Sequence, residues 1–137
     1  MSNGLNQNYT NEWQEGNPLP EAQIAQVDSR KFTDYSMTPN NPKNQGKWTA
    51  FVTIGYDLSN PESLATASQD AINQLLIKLP FIPATLDKNS EYGIRFEVKV
   101  PIQAPNVRRG ILVTKWQMEQ GQPRLITNWL KVNKGDN

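Results

Sequence analysis

Across 137 residues there is no histidine and no cysteine, so any chemistry must come from lysine, arginine, carboxylates, tyrosine, serine or threonine. The missing cysteine excludes disulfides, thiolate metal sites and cysteine nucleophiles. The missing histidine removes the commonest metal ligand and the side chain most used as a general base near neutral pH. A serine–histidine–aspartate triad and the histidine-based zinc motifs are therefore ruled out. Chemistry-bearing residues gather late in the chain. From Tyr92 onward there are eight basic residues, Arg95, Lys99, Arg108, Arg109, Lys115, Arg124, Lys131 and Lys134, against Glu97, Glu119 and Asp136. On a chain of net charge +1, such a surplus suits a local anionic ligand better than diffuse binding to nucleic acid.

Strands must position these residues. Gly93 to Val100 alternates without a break, with Ile94, Phe96, Val98 and Val100 on one face and Arg95, Glu97 and Lys99 on the other. That is the period of a half-buried strand. Gly110 to Gln117 and Pro123 to Leu130 complete a three-stranded antiparallel meander, with turns expected near Ala104–Val107 and Glu119–Gln122.

Upstream, Asn60-Pro61-Glu62 supplies a cap, a proline at the first helical position and an acid in the first turn. The helix it starts is expected to run to about Leu79, with Leu64, Ile72, Leu75, Leu76 and Leu79 as its apolar stripe and Pro80 as its end. A shorter helix is expected between Lys47 and Gly55, carrying Trp48, Phe51 and Val52. Phe81 to Ser90 reads as a connection with room for one short strand. Helices followed by a meander imply an α+β domain, the helices covering one sheet face.

The span 31–132 is read as that single domain, and 133–137 as a tail. Residues 1–30 are rich in Asn, Gln, Gly and Pro and offer little apolar surface to offset ordering entropy. They are expected to form a poorly ordered linker or upstream boundary, with Trp13 as a tether; Ala22 to Val27 is either a helical turn or extended chain. Phe32 and Tyr35 are expected to anchor the following loop. No apolar run approaches membrane-spanning length, and no charged-then-apolar leader opens the chain.

Register decides which side chains share the open sheet face, because a one-residue slip exchanges them all. In the preferred register Ile111 and Val113 lie opposite Val100 and Val98. The core face is then Ile94, Phe96, Val98, Val100, Ile111, Val113, Ile126 and Leu130. The open face would carry Arg95, Glu97, Lys99, Thr114, Trp116, Thr127 and Trp129, with Leu112 and Leu125. The alternative buries Leu112, Thr114, Trp116, Leu125, Thr127 and Trp129 and leaves Lys115, Arg124 and Asn128 outside. The preference rests on the cost of burying two threonines beside two indoles without partners.

The phrases Lys31-Phe-Thr-Asp-Tyr35, Gly46-Lys-Trp-Thr-Ala-Phe51, Ile54-Gly-Tyr-Asp-Leu58, Tyr92-Gly93, Val113-Thr-Lys-Trp116 and Pro123-Arg-Leu-Ile-Thr127 occur in that order. They resemble a family of small bacterial domains of unassigned function, found alone and at the C-termini of polymorphic toxins. The layout also resembles the barnase–EndoU–colicin–RelE class of ribonuclease toxins. The resemblance implies metal-independent cleavage of RNA, often tRNA, without a cofactor. It further implies delivery as part of a larger bacterial toxin, action in the target-cell cytoplasm, and neutralisation of an otherwise monomeric domain by a cognate immunity protein. That partner should be acidic; no membrane partner is implied. Two other readings stand beside it, a non-catalytic binding module for nucleic acid or protein and a phage or host structural protein.

Carried over residue by residue, the resemblance places Lys47 at the helix start, Trp116 and Thr127 on the strands, and Arg124 before the final strand. Metal-free RNA cleavage must deprotonate a 2′-hydroxyl, stabilise the phosphorane and protonate the leaving oxygen. In that scheme the catalytic set is Lys47, Arg95, Trp116 and Thr127. Arg95 holds a phosphate through its guanidinium, and Trp116 stacks a base. Arg109, Thr114 and Arg124 are the expected RNA-binding residues. Glu97 reads as a surface partner of Arg95 or as a base. The same pattern also fits ordinary strand and core packing, so the register that sets Trp116 and Thr127 beside Arg95 or under the helices is decisive.

Overall fold

The computed structural model describes residues 13–87 and 93–132. Helix α1 spans Trp48–Ile54 and buries Phe51 and Ile54. Gly55 ends it at φ 117°, its amide donating to the Phe51 and Val52 carbonyls. Only glycine enters that backbone region readily. Helix α2 spans Pro61–Lys78. Asn60 Oδ1 accepts the Ser63 amide at 2.9 Å, satisfying one of the donors that every helix start leaves open. Asn60→Ala should therefore lower the unfolding free energy by about 1 kcal/mol in urea titrations.

The buried face of α2 is made by Ala67, Ser68, Ala71, Ile72 and Leu75, followed by Leu79 just beyond it. Of the expected stripe, Leu64 packs at the margin of the core and Leu76 is 36% exposed. The small residues let α2 approach the sheet closely over its second strand. Tyr56 Oη donates to Asp70 Oδ2 at 2.6 Å, and Gln74 bonds both the carbonyl and the amide of Gln103 at 2.8 Å. No helix among the described residues is long and apolar enough to cross a membrane.

Four antiparallel strands follow: β1 (Ala84–Asp87), β2 (Arg95–Gln103), β3 (Arg109–Glu119) and β4 (Gln122–Lys131), in sheet order β1-β2-β3-β4. The α+β layout thus agrees with the expectation. The short strand in the 81–90 connection is β1, and the two hairpin turns fall where the turn residues place them. Tyr92 and residues 133–137 lie outside the described residues.

The preferred register does not occur. Val100 lies opposite Leu112, Val98 opposite Thr114 and Phe96 opposite Trp116, so Leu112, Thr114 and Trp116 are all buried on the helix side. The polar groups that argued against this arrangement satisfy one another. Trp116 Nε1 donates to Thr114 Oγ1 at 2.7 Å, and Thr114 Oγ1 donates to the Val98 carbonyl at 2.7 Å. A donor two residues along the same strand face closes the chain of bonds, so the desolvation penalty is met locally.

Strand β4 follows neither register throughout. Lys115 pairs with Thr127 but Trp116 pairs with Leu125, leaving Ile126 as the extra residue of a β-bulge. The bulge changes the phase of the strand. Leu125, Asn128 and Leu130 face the core, while Arg124, Thr127 and Trp129 stand on the outer face. Ile111 and Ile126 are only half-buried. Val113 is 1% exposed, but alternation places it on the outer side, in a row between Lys99 and Trp129.

From Trp13 the chain is packed rather than loose. The Trp13 indole meets Phe96 edge-on at 4.9 Å between centroids, its Nε1 donates to the Pro18 carbonyl at 3.0 Å, and Leu19 and Ala22 are 3% and 4% exposed. Gln26 pairs beside Arg124, with bonds of 2.8 Å to Pro123 and 3.0 Å from Leu125. Aromatic and aliphatic anchors spaced several residues apart hold this polar stretch, which bulk composition averages away. Residues 1–12 lie outside the described residues.

Candidate functional site

The outer face of the sheet is read in rows across the strands. Arg95, Gln117 and Arg124 form one row, and Glu97, Lys115 and Thr127 the next. Its middle is largely self-neutralised. Lys115 Nζ lies 3.2 Å from Glu97 and 3.4 Å from Asp87, and Arg95 Nε donates to Gln117 Oε1 at 2.9 Å. Partial burial would push the Lys115 ammonium down, but bonding to and the charges of Glu97 and Asp87 outweigh it and raise its pKa. The expected cationic face is thus a balanced network over β2 and β3, and Glu97 pairs with Lys115 and Lys99.

A second group of charges, less tightly paired, lies beside β4. One turn of π-helix, Phe32–Ser36, buries Phe32 and Ser36 against the body. Lys31, Asp34 and Tyr35 are presented on its other side, and with Asp28, Arg30, Arg124, Ile126 and Thr127 they line an open groove of about 490 Å³. Such single-turn π segments recur at functional sites because the wide turn re-aims its side chains. The turn is tied to the sheet by Asn128, whose Nδ2 donates to the Lys31 carbonyl at 3.1 Å.

Lys47 enters the same region from the start of α1. Its Nζ donates to Tyr35 Oη at 2.8 Å and lies 5.4 Å from the Trp129 ring centroid. A cation at a helix N-terminus is locally unfavourable, and the phenol and indole compensate for it. Buried Asn44 clasps the intervening loop. Its Nδ2 donates to the Tyr35 carbonyl at 2.7 Å and the Thr38 carbonyl at 2.6 Å, and its Oδ1 accepts the Gly46 amide at 2.9 Å.

The groove carries its own carboxylates. Asp28 and Arg30 form a bidentate pair, 2.7 Å at its shortest. Hydrogen bonds from Arg30, aided by its charge, hold the Asp28 carboxyl down at about 2. This group is depressed in the folded state, so its small stabilising contribution is complete above the ordinary carboxylate range and is lost as pH falls toward 2. In an NMR titration the Asp28 carboxyl should show a midpoint about two units below that of an unpaired aspartate. A midpoint near 4 would contradict the pairing. Arg124 is bound more loosely, 3.4 Å from Glu119 with both side chains about half exposed.

Of the residues singled out in the sequence, Lys47, Arg124 and Thr127 converge at this groove, Lys47 through Tyr35. Arg95 shares the outer row with Arg124 but sits two strands away, roughly 10 Å at ordinary strand spacing. Thr114 and Trp116 are 0% exposed and face the helices, so the expectation that they stand beside Arg95 is corrected by the β2–β3 register. Arg109 is exposed at the opposite end of β3. Eight residues separate it from Gln117, the partner of Arg124, which is roughly 27 Å along a strand.

Sequence reasoning missed Arg30, Lys31, Asp34 and Tyr35 as groove residues. The signal was present in Lys31-Phe-Thr-Asp-Tyr35, where positions one, four and five of a helical turn share a face. In chemical terms the groove can hold an anionic, phosphate-bearing ligand between Lys31 and Arg124 and offer it the hydroxyls of Thr127 and Tyr35.

A chain of the solved structure described as a contact-dependent growth inhibition toxin–immunity protein complex from Klebsiella pneumoniae 342 is similar in fold. The match has a TM-score of 0.53 at 13% identity and covers 84% of this chain and 100% of that chain. No curated protein matches. Residues 18–132 match the profile of a protein family, and the chain belongs to that family, the domain of unknown function DUF6883.

Proposed function

We propose that this chain is a metal-independent ribonuclease toxin domain, the effector part of a larger contact-dependent or polymorphic toxin, held in check by an acidic immunity protein. One observation carries the reading. Lys47, bound to Tyr35, and Thr127, eighty residues further along the sequence, are brought to one groove, which Tyr35 and Thr127 line together with the cations Lys31 and Arg124, the latter held only loosely by Glu119. The similarity of fold to a chain from a toxin–immunity complex supports the same reading.

In this reading Lys31 and Arg124 hold the scissile phosphate and its neighbour, as ammonium and guanidinium groups suit phosphate oxygens. The Thr127 hydroxyl donates to a phosphate oxygen, and Lys47 offsets the charge that grows on the phosphorane. The substrate is RNA, with tRNA the first to test, because the chemistry needs a 2′-hydroxyl. The acidic immunity partner covers the groove, and its association slows as salt rises, since complementary charge acts mainly on encounter.

The test is incubation of the purified chain with total tRNA in excess EDTA. Cleavage to fragments ending in 2′,3′-cyclic phosphate is expected, together with growth arrest on expression without the partner. RNA that stays intact at high protein concentration, with harmless expression, sinks the proposal.

A further inference from the structure

We infer that Tyr35 is the proton donor to the leaving 5′-oxygen, an inference that rests on the ribonuclease reading above. Lys47 Nζ and Tyr35 Oη are 2.8 Å apart. An ammonium carries three N–H groups and no acceptor, so the lysine donates and the phenol oxygen accepts. The proton of the phenol must then point away from Lys47. Among the described residues no group accepts it, although Asn44 fixes the Tyr35 backbone and α1 fixes Lys47. Tyr35 lines the groove with Arg124 and Thr127, so that proton is available to a ligand lying there.

Several other groups of the groove are poorer donors. The chain has no histidine, and arginine does not release a proton in proteins. Asp28 is kept ionised by Arg30 and carries no proton near neutral pH. A threonine hydroxyl is far too weak an acid. Of the groove's two hydroxyl side chains, Tyr35 is the one whose proton is free and whose oxygen has a cation placed to stabilise the anion left behind.

The step balances as follows. The 2′-hydroxyl loses its proton to solvent water, and the 2′-oxygen bonds to phosphorus. The bond from phosphorus to O5′ breaks, and O5′ takes the proton of Tyr35. The products are a 2′,3′-cyclic phosphate and a 5′-hydroxyl. The phenolate remains against the Lys47 ammonium until it regains a proton from water.

The test compares wild type and Tyr35→Phe on two short RNAs spanning the mapped cleavage site. One is ordinary RNA; the other has sulfur at the 5′-bridging position, where a thiolate leaves without needing a proton. Tyr35→Phe should be at least ~100-fold slower than wild type on ordinary RNA, the usual scale of general acid catalysis, yet within about threefold on the sulfur substrate. Equal slowing on both substrates, with an unchanged melting temperature, would reduce Tyr35 to a positioning residue and overturn the inference. No slowing on ordinary RNA would overturn it too. Wild-type protein that cleaves neither RNA overturns the ribonuclease reading itself, a result distinct from either of these.

Discussion

Trp116→Ala should lower the unfolding free energy by about 3–5 kcal/mol in denaturant titrations, the usual cost of removing a large buried aromatic. The side chain is 0% exposed and is the largest fully buried one among the described residues. Its loss also strips Thr114 Oγ1 of the indole donor. Against a typical total of roughly 5–15 kcal/mol for a domain, that change leaves little margin. A companion variant isolates the polar link. Thr114→Val keeps the shape but leaves the Trp116 N–H and the Val98 carbonyl without their hydroxyl partner, at a cost of about 1–3 kcal/mol. Had Trp116 and Thr114 stood on the outer face to touch RNA, both variants would be near neutral in stability. A shift below about 1 kcal/mol for Trp116→Ala, the range of surface substitutions, would therefore refute the β2–β3 register.

Lys47→Ala should show the opposite pattern. RNA cleavage should fall by at least ~100-fold, the scale of losing one preorganised donor to transition-state charge. Stability should change by no more than about 1 kcal/mol, because the half-buried ammonium gives up one hydrogen bond and its contacts with the Tyr35 and Trp129 rings while relieving an unfavourable charge at the start of α1. Thr127→Ala should behave alike, being half-buried on the outer face and outside the core cluster. Cleavage rates and urea midpoints measured on the same preparations check both. Unfolding of either variant would place its side chain in the structural core instead.

The contrast between Trp116 and Thr127 shows what the sequence could reveal. The caps and stops of α2, the alternation of β2 and both hairpin turns are local signals, and the fold class follows from their order. Facing is different, because it depends on pairing between strands. The burial cost of Thr114 and Trp116 was a sound argument, but side chains two apart on one strand can satisfy each other, and alternation does not report that. A bulge at Ile126 then shifted β4 by one residue, so Thr127 and Trp129 face outward while Asn128 faces inward. No periodicity marks a single inserted residue. Lys47 and Thr127 are legible as candidates chiefly through resemblance, and Tyr35, which holds Lys47 and lines the groove with Thr127, carries only the sequence signal of a loop anchor. Glu97 reads in the sequence as a partner of Arg95, yet Arg95 bonds Gln117 and Glu97 pairs with Lys115, because the neighbours that decide the pairing lie on other strands.

The claim that the groove beside β4 is the RNA site is tested most directly by two variants that each remove one positive charge. Lys47→Ala removes it beside the groove, at Tyr35, and Arg109→Ala removes it at the far end of β3. Measured on total tRNA in EDTA, the first should cut the cleavage rate at least ~100-fold and the second less than about threefold, since a distant exposed charge contributes only weakly through solvent. Equal losses in the two variants, or a larger loss for Arg109→Ala, would contradict it.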